Sequence, residues 1–410
     1  MKFEGLSEAR SLLAIRDYRL LLISNPLMFA GIQIRNMSQS WLVLEETGSS
    51  IWVGIIGAAP AVGIVSLVLL GGAIADRSNR RLMLYRSKIV LAALAFVTAF
   101  LVSSGVIEMW HLLLLGLFAG FSFAFMAPAA QMMPMDVVGR EKLMPALALN
   151  NALSTSFNII GPALGGVYLA VFGLNTIFYV LGAIYLAAAF ANWLLRTNTM
   201  PTESSREDSG WAQIKQGLRY VWGTPHVRWM MIFASTSIFI GAYPAVLPVL
   251  VREELGVPEQ YREVAFGAVL ATAGAGSITG LLTIISIGTV KNKGRLLMLA
   301  SAMITIGMVT MGLAPNIYVA AVGAFFFGLA GAMFGTSIGT LMQASVDESM
   351  RGRVSSVFMI TIQFFAIGMV LGGFFTAWVG PGATLLLFGG LMGVVSILVF
   401  AKSPELRNAT

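Results

Sequence analysis

Several groups that support enzyme or metal chemistry are missing from this chain of 410 residues. Cysteine is absent, which excludes disulfide bonds, thiol catalysis and thiolate metal sites. The two histidines, His111 and His226, both stand beside predicted loops, so we expect neither a histidine metal site nor a histidine-based catalytic site. The phosphate-binding pattern G-x-x-x-x-G-K followed by serine or threonine is also absent, which argues against nucleotide hydrolysis. We therefore predict that the chain is not an enzyme and holds no cofactor and no metal.

Charged residues are scarce and clustered, and apolar residues are in excess. Charged residues make up 11% and hydrophobic residues 57%, whereas soluble proteins have about 25% and about 45–50%. No charge occurs in residues 51–75, 90–107 or 153–195. About 20 apolar residues in a helix suffice to cross the hydrocarbon core of a bilayer. The composition therefore predicts a polytopic membrane protein whose partners include the lipid bilayer.

The apolar runs between charged or turn-rich breaks predict twelve membrane-spanning segments. Helices are the expected form, because lipid offers no hydrogen-bond partner to unpaired backbone groups. The segments lie at residues 20–44, 51–75, 83–105, 110–135, 146–171, 175–195, 229–251, 264–289, 296–314, 317–342, 354–379 and 383–401.

The distribution of basic residues predicts the orientation of these segments. With both termini in the cytoplasm, all but three of the 26 lysines and arginines fall in cytoplasmic loops, at the adjoining span ends or in the termini. The exceptions are Arg252 and Arg262, which are outside, and Arg35, which lies within the first span. This topology accounts for the net charge of +7, and because the basic residues are spread over loops we expect no nucleic-acid binding.

A polar connection at residues 197–228 separates two sets of six segments, residues 1–196 and 229–410. The halves resemble each other, since residues 116–136 overlay residues 328–348 and align Gln131 with Gln343. We therefore predict two pseudo-symmetric six-helix bundles joined by a cytoplasmic linker, which is typical of transporters that rock about a site at the bilayer midplane.

The linker itself predicts an amphipathic helix, because Trp211, Leu218 and Trp222 fall on one side and Lys215 and Arg219 on the other. Such a helix can lie on the membrane surface. It can equally pack against the base of the protein.

The loop after the second segment contains a motif that reads, in order, Gly72, Asp76, Arg77, Asn79, Arg80 and Arg81. It resembles the motif G-x-x-x-D-R-x-G-R-R of the major facilitator superfamily, with Asn79 where glycine is usual. Asparagine tolerates the left-handed conformation that a glycine provides. The resemblance implies that Asp76 pairs with arginines and clamps the cytoplasmic side shut. It also implies the all-α major facilitator fold with twelve transmembrane helices.

A second motif, formed by Gly161, Pro162, Gly165 and Gly166, resembles part of the motif shared by exporters of this superfamily. There, a Gly-Pro kink and small residues let helices pack closely and limit leakage. Residues 41–49, 211–220 and 351–354 look like the branch that contains enterobactin exporters and macrolide efflux proteins. The resemblance implies a bacterial plasma-membrane exporter, coupled to protons and monomeric.

We predict that Arg35 is the only formally charged residue well inside a span. An arginine at that depth costs at least about 2.5–3.5 kcal/mol, so it should face the bundle interior or water. Glu45 is ten positions away along the helix, and no carboxylate is obviously available to neutralise the guanidinium. Two interpretations follow: Arg35 hydrogen-bonds to backbone carbonyls and nearby amides, or it presents its charge to an anionic group of a substrate.

Other polar side chains at mid-span depth are candidates for lining a substrate cavity, although each can instead form a helix–helix hydrogen bond. The predicted substrate-binding residues are Arg35, Gln33, Asn36, Gln39, Asn151, Asn158, Gln363, Gln131, Gln343 and Tyr243.

The sequence leaves the route of the protons open, with Asp76, Asp136, Glu45 or the substrate itself as candidate carriers. We predict a secondary transporter that exports a small amphiphilic compound, anionic or neutral, resembling a siderophore or a drug. The alternatives are an importer with the same fold and a membrane sensor that transports nothing.

Overall fold

The computed structural model describes residues 11–139, 141–197, 210–287, 293–344, 346–347 and 350–403, apart from some helical side chains within these ranges. Over these residues the protein contains helices and turns and no strand. The helices are α1 Arg16–Thr47, α2 Ser50–Arg77, α3 Arg80–Ser103, α4 Met109–Val138, α5 Leu143–Phe172, α6 Leu174–Trp193, α7 Gly210–Gly223, α8 Pro225–Ala234, α9 Ser237–Glu253, α10 Arg262–Ile287, α11 Lys293–Gly312, α12 Ile317–Ala344, α13 Arg351–Ile362, α14 Phe364–Val379 and α15 Pro381–Lys402.

Ten stretches of helix in the described residues are long and apolar enough to cross a membrane. Two of them combine consecutive helices, α8 with α9 and α13 with α14. α1 is not among the ten, and its middle carries Arg35 together with three amide side chains. The chain is a multi-pass, all-helical membrane protein. The count of twelve spans and the cytoplasmic placement of both termini stay predictions.

The chain packs into two compact units. The first comprises the described residues of Met1–Ser38, Ala59–Pro162 and Phe172–Arg206. In it, α3 packs against α6 and α4. One close contact of α3 with α6 is at Gly182, where an added Cβ would lie 2.7 Å from the ring of Phe96. Tyr18 on α1 is fully buried and donates a hydrogen bond to the carbonyl oxygen of Ala146 on α5.

Asp17 ties the start of α1 to the chain that leaves α6. Its Oδ2 accepts hydrogen bonds from the backbone N–H of Arg196 at 2.8 Å and from the N–H and hydroxyl of Thr197 at 2.7 and 2.6 Å. Burial by itself raises the pKa of Asp17, but these bonds and the charge of Arg16 outweigh it, so the pKa lies below its ordinary value.

We expect Asp17→Asn to destabilise the protein by about 1–2 kcal/mol at neutral pH, since hydrogen bonds to a charged group are lost. Because the pKa is lower in the folded state, the stabilisation by Asp17 is present above the unfolded-state pKa and disappears as the pH falls through the folded-state value. Thermal unfolding of the detergent-purified proteins at a series of pH values checks this. A difference between wild type and Asp17→Asn that stays constant down to strongly acidic pH would contradict it.

The second unit comprises the described residues of Gln39–Ala58, Ala163–Val171 and Glu207–Thr410. Its helix pairs are α10 with α12, α11 with α12 and α15, and α9 with α14. Two short stretches of the amino-terminal half, residues 39–58 and 163–171, thus pack with the carboxy-terminal helices. The predicted division at residues 1–196, 197–228 and 229–410 stays a prediction.

The linker helix α7 packs against α13 rather than lying free. An added Cβ on Gly217 would lie 2.5 Å from the carbonyl oxygen of Arg353, and the hydroxyl of Tyr220 donates a 2.9 Å hydrogen bond to Asp347. The contacts therefore favour the interpretation that the linker helix packs against the protein. Leu218 and Trp222 still form an exposed apolar side of this helix.

Candidate functional site

Arg35 lies in the middle of α1 and donates a hydrogen bond from Nη2 to Oδ1 of Asn36 at 3.1 Å. The amide of Asn36 in turn donates to Oε1 of Gln33 at 3.4 Å. Among the described residues, no carboxylate lies within ion-pairing distance of Arg35. The expected local hydrogen bonding is thus present in part, and it leaves the positive charge without a counter-charge.

Tyr185 on α6 lies against the turn of α1 that precedes Arg35, and the sequence did not predict it as part of the site. Its ring packs over Gly31, one helical turn before Arg35, where an added Cβ would be 2.6 Å from Tyr185 Cε1. Tyr185 is 1% exposed, and neither its hydroxyl nor Nε of Arg35 has a hydrogen-bond partner among the described residues. Two buried donor atoms thus lie in the same unit.

Lys88 corrects the view that Arg35 is the one charged residue well inside a span. It was assigned to a cytoplasmic span end, but the side chain is 0% exposed in α3. Its Nζ donates to Ser24 Oγ at 2.5 Å and to Asn25 Oδ1 at 3.5 Å. The sequence signal was available, because Lys88 stands five residues inside the segment predicted at 83–105.

The other predicted cavity residues are not brought into one described cluster. Gln131 on α4 is exposed. Gln39, Tyr243 and Gln363 belong to the second unit, where Tyr243 is buried and stacks on Phe327 with ring centroids 4.2 Å apart. The hydroxyl of Tyr243 has no partner among the described residues. The side chains of Asn151, Asn158 and Gln343 lie outside the part of the chain that the structure describes.

The arginine-rich motif forms an ion pair that the sequence did not predict. Arg80, 6% exposed, places Nη1 at 2.8 Å from both carboxylate oxygens of Asp136 at the end of α4. Arg81 donates to the carbonyl oxygen of Trp193 at 2.6 Å. The side chains of Asp76 and Arg77, and the surroundings of Gly72, lie outside the described residues, so the predicted clamp by Asp76 stays a prediction.

Asn79 does not adopt the left-handed conformation that its position in the motif suggested. Its φ is −67°, and its side chain accepts a hydrogen bond from the N–H of Leu82 at 3.2 Å. Asn79 is therefore the N-cap of α3, a role for which asparagine is among the best residues because it satisfies a free backbone donor.

The small residues of the second motif lie at close helix contacts on α5. An added Cβ on Gly161 would be 2.9 Å from Cα of Ala30 on α1 and 3.3 Å from Cβ of Gln33. On Gly166 it would be 2.5 Å from the carbonyl oxygen of Gly267 on α10. Gly165 is buried, and the side chain of Pro162 lies outside the described residues. The role of this motif in limiting leakage stays a prediction.

Within the second unit, the carboxy-terminal end of α1 and the first turns of α2 pack against α9, α10 and α14. Trp41 stacks on Phe266 with centroids 4.9 Å apart, and Arg252 donates to the carbonyl oxygen of Leu44 at 2.7 Å. Ser50 donates to the carbonyl oxygen of Gly373 at 2.9 Å. We call this set of contacts the outer contact, since the predicted topology places it on the extracellular side.

The outer contact depends on the absence of a side chain at Gly54, where an added Cβ would be 2.5 Å from the carbonyl oxygen of Met369. We expect Gly54→Ala to weaken the contact, because the backbone of α14 must move away. In a Ser50→Cys background, labelling by a maleimide that does not cross membranes should rise. The chain has no native cysteine to interfere.

Gly390→Ala is the matched control, since an added Cβ there meets nothing within 4 Å. Its labelling should equal that of the parent Ser50→Cys protein. Equal labelling in Gly54→Ala would show that the outer contact does not close over Ser50.

The candidate proton carriers named from the sequence lie in different environments. Asp136 is held by Arg80, and Asp76 is outside the described side chains. Glu45 lies on α1 beyond its predicted span. Partial burial is the main cause that raises its pKa, and the nearby negative charges of Glu263 and Glu46 raise it further. The positive charge of Arg252 acts in the opposite direction. Among the described residues, no cluster of three or more metal-ligating side chains is present.

Comparison with known proteins identifies relatives that cover nearly the whole chain. A family model described as transmembrane secretion effector matches residues 8–407. The transporter YfiS of Bacillus subtilis, named as uncharacterized and of the MFS type, is 27% identical over 85% of this chain and 84% of its own. The multidrug efflux pump Tap of Mycolicibacterium fortuitum is 25% identical, covering 92% and 93%.

A third relative, the enterobactin exporter EntS of Shigella boydii, is 24% identical over 92% of this chain and 87% of its own. Among solved structures, a variant of the nucleoside transporter NupG superposes with a TM-score of 0.71 at 15% identity, covering 94% of this chain and 99% of the other. At that identity the structural likeness shows the fold alone.

Proposed function

We propose, from the family to which it belongs, that this chain exports a small amphiphilic anion. The family is the transmembrane secretion effector family of major facilitator superfamily transporters. Its relatives include efflux pumps. The transport is secondary, by alternating access, and is driven by protons. The protein works in the bacterial inner membrane with both termini in the cytoplasm.

The observation that carries the proposal is the guanidinium of Arg35, which has no counter-charge among the described residues. Its Nε is buried although the side chain as a whole is partly exposed, and an anionic substrate group would stabilise a charge that is partly removed from water. Among the described residues, Nε of Arg35 and the hydroxyl of Tyr185 have no hydrogen-bond partner, so both can donate to such a group. Phenolates and carboxylates accept hydrogen bonds of this kind, and charge-assisted bonds are the strong ones.

The same argument disfavours a cationic substrate. A second positive charge beside Arg35 would be repelled, and among the described residues of its surroundings no carboxylate offsets it. Export, rather than import, is supported by the names of the relatives, an enterobactin exporter and a multidrug efflux pump. The glycines of α5, which resemble part of the exporter motif, agree with that direction.

Transport into everted membrane vesicles tests the proposal, because in everted vesicles an exporter accumulates its substrate. Radiolabelled enterobactin serves as the anionic probe and ethidium as the cationic probe. Enterobactin accumulation that depends on the protein and on a proton gradient is the expected result. Preferential accumulation of ethidium would refute the anion preference, and uptake of enterobactin only by right-side-out vesicles would favour the importer.

A further inference from the structure

Lys88 has the hydrogen-bond partners of an amine rather than those of an ammonium ion. Ser24 Oγ donates its own hydrogen to the carbonyl oxygen of Ala188 at 2.6 Å, so it faces Lys88 as an acceptor. Asn25 offers Oδ1 to Lys88, while its Nδ2 donates to Oδ1 of Asn150 at 3.1 Å. These two acceptors match two N–H groups, and the third hydrogen of an ammonium ion has no acceptor among the described residues.

No charged side chain of the described residues interacts with Lys88. Two acidic groups described in the same unit are engaged elsewhere, Asp17 with Arg196 and Thr197 and Asp136 with Arg80. The titratable and charged side chains described on α3 and on the helices around it are Arg16, Asp17, Tyr18, Arg19, Arg35, Glu45, Glu46, Arg80, Arg81, Tyr85, Arg86, His111, Asp136, Tyr168, Tyr179 and Tyr185.

Such an environment destabilises the charged state of a lysine relative to the neutral state. An ammonium ion removed from water loses several kcal/mol of solvation unless a counter-charge and full hydrogen bonding replace it. Lysine, unlike arginine, can respond by giving up its proton. When water reaches the side chain in another conformation of the transporter, the ammonium form is favoured again.

We propose that Lys88 is the residue that takes up and releases a proton during each transport cycle. The proposal rests on the proposed proton-driven transport and names the group that couples it. In the closed environment of Ser24 and Asn25, Lys88 holds an uncharged amine. In a conformation open to the outside, the amine accepts one proton from hydronium, leaving water, and in the conformation open to the cytoplasm it returns that proton to water.

Two substitutions separate a proton-exchanging role from a structural one. Lys88→Arg keeps a positive charge and hydrogen-bond donors but does not release its proton, whereas Lys88→Gln is neutral at every pH. Both variants are expected to lose accumulation of enterobactin driven by a proton gradient. Both should retain counterflow, the exchange of labelled for unlabelled enterobactin across the membrane, because that exchange requires no net movement of protons.

Gradient-driven accumulation by Lys88→Arg at the wild-type rate would overturn the proposal, since a fixed charge would then suffice. Loss of counterflow in both variants, with normal thermal unfolding, would also overturn it and assign Lys88 to substrate binding. If wild type itself shows no enterobactin counterflow, the proposed substrate class has failed, and a second measurement that uses no substrate decides the role of Lys88.

The second measurement is maleimide labelling of Ser50→Cys in the purified protein at a series of pH values. With Lys88 present, the labelling rate relative to that of the unfolded protein at the same pH should change through one protonation step, because the conformations differ in their charge at this position. The ratio removes the pH dependence of the thiol itself. The change should disappear in both Lys88→Arg and Lys88→Gln. A transition that persists unchanged in the two variants would show that another group binds the proton. If one of the two variants fails to fold, the other still decides the question, because each substitution by itself removes the titratable amine of Lys88.

Discussion

Replacing Arg35 by glutamine is expected to reduce transport of the anionic probe by about 10- to 150-fold. The range follows from the loss of a charged hydrogen-bond donor, about 1.5–3 kcal/mol, at 1.4 kcal/mol for each tenfold. Stability should not fall in parallel, because the substitution removes a charge that has no ionic partner among the described residues. Initial rates of enterobactin uptake into everted vesicles measure the effect.

Controls distinguish a binding role for Arg35 from a general effect of lost charge. Arg86→Gln removes an exposed arginine of α3 and should transport enterobactin at the wild-type rate. Arg35→Lys should recover part of the rate, since it keeps the charge without the planar guanidinium. If Arg35→Gln transports enterobactin as well as wild type does, the guanidinium does not contact the substrate, and the anion preference loses its support.

Tyr185→Phe removes one hydroxyl and should weaken enterobactin transport less than Arg35→Gln does, because a neutral donor contributes less than a charged one. The ring that packs over Gly31 remains in this variant, so the fold is preserved. A variant of Tyr185 with unchanged affinity for enterobactin would remove the hydroxyl from the proposed site while leaving Arg35 in it.

Breaking the ion pair of Arg80 with Asp136 is expected to destabilise the protein by about 3 kcal/mol, since one buried charge is left unpaired. Arg80→Met and Asp136→Asn should each show this loss in thermal unfolding of the detergent-purified protein. The double variant should lose clearly less than the sum of the two, because removing both charges leaves none uncompensated.

Arg86→Gln again provides the control, because its exposed side chain should contribute little to stability. Additive losses in the double variant would indicate that Arg80 and Asp136 stabilise the protein independently. In that case the ion pair would not stabilise the packing of α3 against α4, although Arg80 Nη1 lies 2.8 Å from both carboxylate oxygens of Asp136.

The positions of the helices could be predicted from the sequence because the bilayer acts on each segment separately. A helix in lipid satisfies its own backbone and needs only about 20 apolar residues. The apolar runs therefore coincide with helices, and the exporter-like family was recognisable from short motifs at helix ends. Arg35 was found for the same reason, since one charge in an apolar run can be read without knowing its neighbours.

The residues that contact these side chains in the folded protein could not be predicted from the sequence. Tyr185 stands 150 positions after Arg35 in the printed sequence, and nothing in its own segment distinguishes it from other tyrosines near a membrane. The pair of Arg80 with Asp136 joins two helices, and the motif predicted an ion pair of Asp76 instead. The positive-inside rule places Lys88 at a cytoplasmic span end, whereas its burial depends on Ser24 and Asn25 of α1.

The sequence by itself thus determined where the helices lie, which fold and family they form, and that the middle of α1 holds a charged residue. These properties follow from local hydropathy and from motifs that are contiguous in the chain. Only the tertiary structure decided that Lys88 has neutral hydrogen-bond partners, that Arg35 Nε and the Tyr185 hydroxyl have no partner in the described part of the chain, and that α2 meets α14 at Gly54. Burial and hydrogen-bond satisfaction depend on side chains that arrive from distant segments, and the packing of the helices brings those segments together.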